Sequence, residues 1–302
     1  SSAASDVYKR QAYDNTKRID EVFMPDIRYA QNENVDRGDL RMQVIERGTS
    51  TPIDDAKISI SYSGDPDSTV EEVNTDASGM SETLTLDTPP LELSMQPSEV
   101  QPYAEYTIQV TAKGYRPINI SGIEVFSGQL SLQEIRMDAE KATESMTDNI
   151  VIPAHTLFAE YPPKIAEAEI KPVTETGEIV LSRVVIPEYV IVHDGAPSDP
   201  TARDYYVRYR DYIKNVASSE IYSTWPDATI RANVLAIMSF TLNRVYTEWY
   251  RNKGYSFTIT SSTAYDQKFM YGRNIYQSIS DVVDEMFQNY LSRPCLLYTS
   301  DA

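Results

Sequence analysis

Apolar and polar residues alternate along the first half of the chain, between residues 38 and 138. Leu40, Met42 and Val44 alternate with polar neighbours, and later alternating runs are separated by turn sequences such as residues 76–79. The later alternating positions are Ile58, Ile60, Leu84, Leu86, Tyr106, Ile108, Val110, Ile118, Ile120, Ile123 and Val125. Many short strands of period two joined by such turns are typical of an antiparallel β-sandwich. We therefore predict a sandwich over residues 38–138.

The pattern changes after residue 138. Residues 139–182 contain four prolines, several acids and little sustained periodicity, which predicts an extended linker. From residue 183 to 294 the spacing of apolar residues becomes helical in three places. The sequence thus predicts a multidomain protein with an N-terminal all-β sandwich, a Pro-rich linker and an incomplete C-terminal α+β domain with three amphipathic helices.

The C-terminal segment opens with an apolar strand at residues 184–192. A first helix is predicted over residues 202–219, because Tyr206, Tyr209 and Ile213 fall on one face. A second helix should begin near Pro226, with Ser223 or Thr224 as its cap, and end at Gly254. A short strand at residues 255–260, a polar loop and a third helix over residues 276–291 complete this prediction.

Both ends of the chain read as foreign sequence. Residues 1–11 and 295–302 fit the two strands of one DNA element, which resembles a transposon-based library adapter. We expect both stretches to be scars, which are excluded before fold reasoning. Residues 12–37 then form a polar, weakly patterned N-terminal segment, and the natural protein is expected to continue beyond both ends. The only cysteine, Cys295, falls in the second scar.

Composition excludes several classes of function. A net charge of −18 and a pI near 4.5 argue against a nucleic-acid partner, which needs clustered Lys and Arg. Without a natural cysteine, disulfides and thiolate metal sites are not expected. His155 and His193 are the only histidines, which argues against a His-rich metal site or a Ser-His-Asp triad. We expect no metal, no cofactor and no membrane segment in this stretch, which lacks a long apolar run.

One acid stands out by its position. Glu220 lies at the end of the first predicted helix, just before a turn that contains Tyr222, Trp225 and Pro226. The negative end of the helix dipole raises the pKa of a carboxyl group there, and packing beneath an aromatic ring raises it further. A carboxyl group that stays protonated near neutral pH is what a general acid requires. An ordinary solvated helix-end glutamate is the alternative.

The first half resembles a known β-sandwich family. Residues 51–58, 75–79 and 106–115 are similar to the strand entry, the turn and the Gly-aromatic strand end of the carboxypeptidase-regulatory-like, transthyretin-like fold. The resemblance covers nearly the whole of residues 38–138. It implies a non-catalytic spacer or adhesion module.

The second half resembles another family. Residues 217–233 read ASSEIYSTWPDATIRAN, which is similar to the pattern A-x-E-M-P-x-x-W-P-x-E-A-L-K-A-Q of stage II sporulation protein D and its amidase-enhancer relatives. Glu220 falls on the catalytic glutamate of that family, and Trp225 and Pro226 align without a gap. Residues 260–269 resemble the downstream loop, so the resemblance extends over about residues 184–291.

The sequence departs from this family at several positions. Tyr222 replaces the usual proline, Asn233 a glutamine and Met238 an arginine. The later glycine- and histidine-rich motif is absent, and it would lie beyond Pro294. The resemblance therefore implies a truncated domain that contains the catalytic acid but not the finished site.

Members of this family are lytic transglycosylases of peptidoglycan in spore-forming bacteria. By resemblance, Glu220 would protonate the oxygen between N-acetylmuramic acid and N-acetylglucosamine, and the muramic C6 hydroxyl would then attack the anomeric carbon. Tyr222 or Trp225 would face a sugar ring, with core packing as the alternative. Sugar hydroxyls and acetamides would be bound by loop residues, whose alternative role is a loop cap. These are Ser262, Thr263, Asp266 and Gln267.

Two other functions remain open. The protein could be a non-catalytic peptidoglycan-binding or structural protein of the spore or cell envelope, which Asn233 and Met238 favour. A hydrolase that pairs Glu220 with a second acid, for which Asp211 and Asp227 are nearest in sequence, is the third possibility. The substrate class implies an extracytoplasmic location, with peptidoglycan glycan strands as the partner.

Overall fold

The computed structural model describes residues 35–140, 147–166 and 181–291. Both predicted adapter scars, most of residues 12–37 and parts of the predicted linker lie outside the described residues. The strands of the first half are β1 (Asp36–Glu46), β2 (Lys57–Tyr62), β3 (Asp65–Asn74), β4 (Leu84–Thr88), β5 (Ala104–Thr111), β6 (Ile118–Val125), β7 (Leu130–Met137) and β8 (Asp148–Val151). The second half contains β9 (Tyr189–His193), β10 (Asp204–Arg208), α1 (Tyr209–Glu220), α2 (Asp227–Tyr246), β11 (Ile259–Thr260), β12 (Ile275–Tyr276) and α3 (Gln277–Met286).

The first half is a β-sandwich, as the alternation predicted. One sheet has the strand order β12-β7-β1-β4 and the other β3-β2-β5-β6-β8. Leu40, Met42 and Val44 of β1 are fully buried between the sheets, while the polar residues between them are exposed or half-buried. Most neighbouring strands are antiparallel, but β1 pairs with β7 and β6 with β8 in parallel, which the sequence did not indicate.

The segment predicted to be a linker contains a strand of the sandwich. β8 lies within it and extends the second sheet along the free edge of β6. Residues 152–166, which we call the strap, follow β8 without regular secondary structure and contact the second half. The backbone N–H of Ile152 donates to the Ser121 carbonyl at 2.9 Å, and that of Ile165 donates to the Ala264 carbonyl at 2.7 Å. The strap thus connects the sandwich with the helical half.

The second half is an α+β arrangement, as predicted. Its three-stranded sheet has the order β10-β9-β11 and packs with α1, α2 and α3 around a shared apolar core. Tyr212, Ile213 and Val216 of α1 are fully buried in this core. No helix among the described residues is both long and apolar enough to cross a membrane.

Four helix boundaries differ from the predicted ones. Residues 204–208 form β10, which pairs antiparallel with β9, so α1 begins at Tyr209 and not at residue 202. The residue that caps α2 is Pro226, and not Ser223 or Thr224 as predicted, and α2 ends at Tyr246. Glu248 then adopts a positive φ of 47°, which ends any helical continuation, and Gly254 closes only a short 3-10 turn. α3 ends at Met286.

The two halves share their packing. β12 belongs to the second half of the chain but pairs with β7 in the first sheet of the sandwich. Tyr103 and Phe126 of the first half pack into the core of the second half. In the opposite direction, Met270 packs into the core of the sandwich.

Candidate functional site

Glu220 is the last residue of α1 and is half-buried. Its Oε1 accepts a hydrogen bond of 2.7 Å from the backbone N–H of Lys268. Loss of water around the carboxyl group raises the pKa of Glu220 to about 7, against the opposing effects of that hydrogen bond and of the Lys164 and Lys268 ammonium groups. A carboxyl group with this pKa exchanges a proton readily near neutral pH.

The strap contacts the surroundings of Glu220. Lys164 Nζ lies 4.5 Å from the centre of the Phe240 ring on α2, and its charge acts on the Glu220 carboxyl group. Lys268 Nζ lies 5.1 Å from the centre of the Tyr161 ring. The immediate electrostatic environment of Glu220 is therefore cationic, although the whole chain is strongly acidic.

The two aromatic residues of the predicted site follow α1, and both contact residues of the first half. Tyr222 is 8% exposed, and its ring centre lies 4.7 Å from that of His155 and 5.3 Å from that of Phe126. This geometry favours core packing, one of the two roles that the sequence left open for Tyr222. Trp225 is half-buried, and its Nε1 donates to the Ser94 carbonyl at 3.0 Å.

Asp266 is occupied by contacts within the protein. Its side chain has no exposed surface, and Oδ1 accepts a hydrogen bond of 2.7 Å from Arg244 Nε on α2. Oδ2 accepts hydrogen bonds of 2.6 Å from the hydroxyl groups of Tyr250 and Thr260. These partners direct the carboxylate inward, so this geometry corresponds to a structural role and not to contact with sugar.

Gln267 is also directed inward. Its Oε1 accepts hydrogen bonds from Thr241 Oγ1 at 2.8 Å and from the Tyr212 hydroxyl at 3.3 Å, while its Nε2 donates to the Ile237 carbonyl at 3.1 Å. Gln267 thereby joins the loop to both α1 and α2. Of the four predicted loop residues, Ser262 and Thr263 are the half-exposed ones.

Sequence reasoning missed the groups that surround Glu220. Neither Lys164 nor Lys268 carried a signal, because a single lysine in a linker or loop is usually a solvated residue.

Among the described residues, no group of three or more His, Cys, Asp or Glu side chains could hold a metal ion. A cavity of about 100 Å³ lies between β9 and the end of α2, where Tyr189 and Trp249 line it, and Glu220 is not one of its lining residues.

Comparison with known proteins identifies no family for this chain. No family model and no curated protein matches the chain. Among solved structures, the chain is similar to the Bacillus anthracis TIE protein, with 15% identity over 34% of this chain and 17% of that one and a TM-score of 0.24. Klebsiella pneumoniae 5-hydroxyisourate hydrolase is 17% identical over 34% of this chain and 92% of that one, with a TM-score of 0.23. GBS52, the minor pilin of Streptococcus agalactiae, is 10% identical over 40% of this chain and 49% of that one, with a TM-score of 0.25. TM-scores this low carry no functional argument.

Proposed function

We propose that this chain carries the catalytic acid of a peptidoglycan lytic transglycosylase from a spore-forming bacterium. The observation that carries the proposal is Glu220 itself, a half-buried carboxyl group at a helix end with a pKa of about 7. The resemblance of residues 217–233 to stage II sporulation protein D supplies the substrate class. On this proposal the protein acts outside the cytoplasm, in the cell wall or spore envelope, with glycan strands as its partner.

The proposed reaction uses one carboxyl group twice. Protonated Glu220 gives its proton to the glycosidic oxygen as the bond from N-acetylmuramic acid to N-acetylglucosamine breaks. The resulting carboxylate then accepts the proton of the muramic C6 hydroxyl, whose oxygen bonds to the anomeric carbon and forms the 1,6-anhydro product. A pKa near 7 suits both the donation and the acceptance of the proton. The ammonium groups of Lys164 and Lys268 stabilise the carboxylate that exists after the first step and before the second.

A second candidate is a non-catalytic envelope protein that binds peptidoglycan or has a structural role. The internal hydrogen bonds of Asp266 and Gln267 favour it, because these side chains are not presented to a ligand. The strap beside Glu220 and the departures at Asn233 and Met238 point in the same direction. On this alternative, the carboxyl group of Glu220 serves only to bind the loop through Lys268.

Purified sacculi distinguish these functions. The longest natural form of the protein is incubated with sacculi, and the released muropeptides are identified by mass spectrometry. We expect anhydromuropeptides from the unmutated protein and about a hundredfold less, or lower still, from Glu220→Gln, because a general acid contributes roughly this much. The matched controls Asp211→Asn and Asp227→Asn should keep the full rate, since both acids are exposed.

Equal release by Glu220→Gln, or none by the unmutated protein, would overturn the catalytic proposal. Binding to sacculi without release would support the envelope protein instead. Products with a reducing muramic acid, together with a loss of activity in Asp211→Asn or Asp227→Asn, would indicate a two-carboxylate hydrolase.

A further inference from the structure

Three donors from outside the helix hold the last turn of α1. Arg273 Nε donates to the Ser218 carbonyl at 2.8 Å, and Thr156 Oγ1 of the strap donates to the Ser219 carbonyl at 2.8 Å. The backbone N–H of Lys268 donates to the Glu220 carboxyl group itself. The last carbonyl groups of a helix have no partner within the helix. These contacts therefore satisfy two of them and fix the turn from which Glu220 projects.

The orientation of Arg273 is set by the β-sandwich. Its Nη1 donates to Glu124 Oε1 at 3.3 Å, and its Nη2 donates to Glu124 Oε2. Glu124 lies on β6, and neither side chain of the pair has exposed surface. The Tyr276 hydroxyl donates to Glu124 Oε2 at 3.0 Å. The guanidinium group is thus held by a two-point contact on one side, while its Nε reaches the Ser218 carbonyl.

Hydrogen bonds between the Asn274 side chain and the Glu124 backbone reinforce this contact. Asn274 Nδ2 donates to the Glu124 carbonyl at 2.8 Å, and the Glu124 N–H donates to Asn274 Oδ1 at 3.4 Å. Burial lowers the pKa of Arg273, but the Glu124 carboxylate more than reverses this effect, so the guanidinium group stays charged. The contact between β6 and the end of α1 is therefore fixed by both the side chain and the backbone of Glu124.

A buried ion pair contributes little to stability compared with apolar side chains of similar volume. The geometry of this pair gives it a different use, because it joins β6 to the carbonyl group two residues before Glu220. We propose that Glu124 and Arg273 are positioning residues for Glu220, which makes the β-sandwich part of the catalytic unit and not a spacer. This inference rests on the proposed function of Glu220.

Substitutions that keep the charge but change the geometry provide the test. Arg273→Lys can still pair with Glu124, but one ammonium group cannot also reproduce the contact of Nε with the Ser218 carbonyl. We expect the rate of anhydromuropeptide release at saturating glycan to fall about tenfold to a hundredfold, as for other small displacements of catalytic groups. The glycan concentration for half-maximal rate should stay within about twofold, because neither residue touches glycan.

Glu124→Asp, which keeps the charge but shortens the side chain by one methylene group, should act in the same direction, and it is the second variant if Arg273→Lys does not fold. The matched control is Arg136→Lys, which changes the exposed Arg136–Glu134 pair on β7 and should leave the rate unchanged. Thermal unfolding of each variant shows which of them is folded.

A second readout does not depend on activity. In protein with ¹³C-labelled glutamate carboxyl groups, the NMR signal of Glu220 is assigned by its absence from Glu220→Gln. We expect this signal to move in Arg273→Lys and Glu124→Asp and to stay in place in Arg136→Lys. If the unmutated protein releases no product but the signal moves, the proposed function fails while the positioning stands. Folded variants with an unchanged rate and an unmoved signal would overturn the inference.

Discussion

Asp266 illustrates, at the residue scale, how a polar loop residue becomes part of the core. The sequence left sugar binding and a loop cap open for Asp266, and its carboxylate pairs with Arg244, which is itself only 5% exposed. The direction of such a side chain depends on partners far away in sequence, because Arg244 lies on α2. No pattern within residues 260–269 indicates that partner.

Replacing Asp266 should therefore affect stability. We predict that Asp266→Asn lowers the free energy of unfolding by about 3–5 kcal/mol, because it removes the carboxylate that faces the buried Arg244 guanidinium group. The control Asp227→Asn breaks the exposed Asp227–Arg231 pair and should cost less than about 1 kcal/mol. Urea unfolding measures both. A small cost for Asp266→Asn would show that the carboxylate is available for ligand binding after all.

Glu105 provides a second prediction at this scale. It lies directly opposite Glu124 in the register of β5 and β6. Burial, and then the charge of Glu124, raise the pKa of Glu105 from 4.5 to about 7, while Arg273 opposes the shift. Between these two pH values the folded state binds more protons than the unfolded state. The free energy of unfolding contributed by this group is therefore present below about pH 4.5 and is lost as the pH rises through 7.

The thermal midpoint at about pH 5 and about pH 7.5 tests this prediction. The difference between the two midpoints should be smaller in Glu105→Gln than in the unmutated protein, because one of the titrating groups is removed. Glu134→Gln, which removes an exposed carboxylate of β7, should leave the difference unchanged. Equal differences in all three proteins would contradict the assignment.

At the scale of elements, Gly122 allows β8 and the strap to join the sandwich. It has a φ of +80° at the irregularity where β6 loses its regular register with β5. A Cβ atom at this position would lie 2.1 Å from the carbonyl oxygen of Ile152, at the start of the strap. Glycine therefore permits both the backbone conformation and the close approach.

We predict that Gly122→Ala destabilises the protein more than Gly114→Ala does. Gly114 has a similar φ of +84°, but a Cβ atom there would meet nothing within 4 Å. Gly114→Ala should cost about 1–2 kcal/mol from backbone strain alone, and Gly122→Ala roughly 1–3 kcal/mol more from overpacking. Chemical denaturation of both variants measures the difference. Equal costs would mean that β8 and the strap are free to move away.

Elements with a strong local pattern could be predicted from the sequence, and those defined by distant partners could not. The strands of the sandwich core alternate clearly, and so their existence was foreseen. β8 alternates only between half-buried and exposed positions, and it is a strand because β6 offers it a free edge. The apolar spacing near residue 206 fits a helix as well as a strand, and only the pairing with β9 makes it β10. Glu220 was placed correctly at a helix end, because the helical spacing of apolar residues stops just before the turn that contains Trp225 and Pro226.

At the scale of the whole molecule, the two halves share one packing arrangement. Phe126 is fully buried, and its ring centre lies 5.2 Å from that of Tyr103 in the first half and 5.4 Å from that of Tyr276 in the second. Together with the pairing of β12 with β7, this predicts that the halves unfold together.

Two probes can follow the two halves separately. Both tryptophans, Trp225 and Trp249, lie in the second half, so their fluorescence reports on it, while circular dichroism of the strands reports mainly on the sandwich. We predict coincident thermal transitions for the unmutated protein. Phe126→Ala should lower both midpoints equally, through a loss of about 3–5 kcal/mol. Two separate transitions, or a shift in only one, would contradict a shared core.

In the proposed reaction Glu220 transfers a proton during glycan cleavage, and the muramic C6 hydroxyl attacks the anomeric carbon in place of water. The most direct measurement is the mass of the muramic acid end that the longest natural form of the protein releases from purified sacculi. We predict a 1,6-anhydro end, lighter by one water than a reducing end, and its loss in Glu220→Gln. A reducing end, the same anhydro product from Glu220→Gln, or no product from the unmutated protein would contradict it.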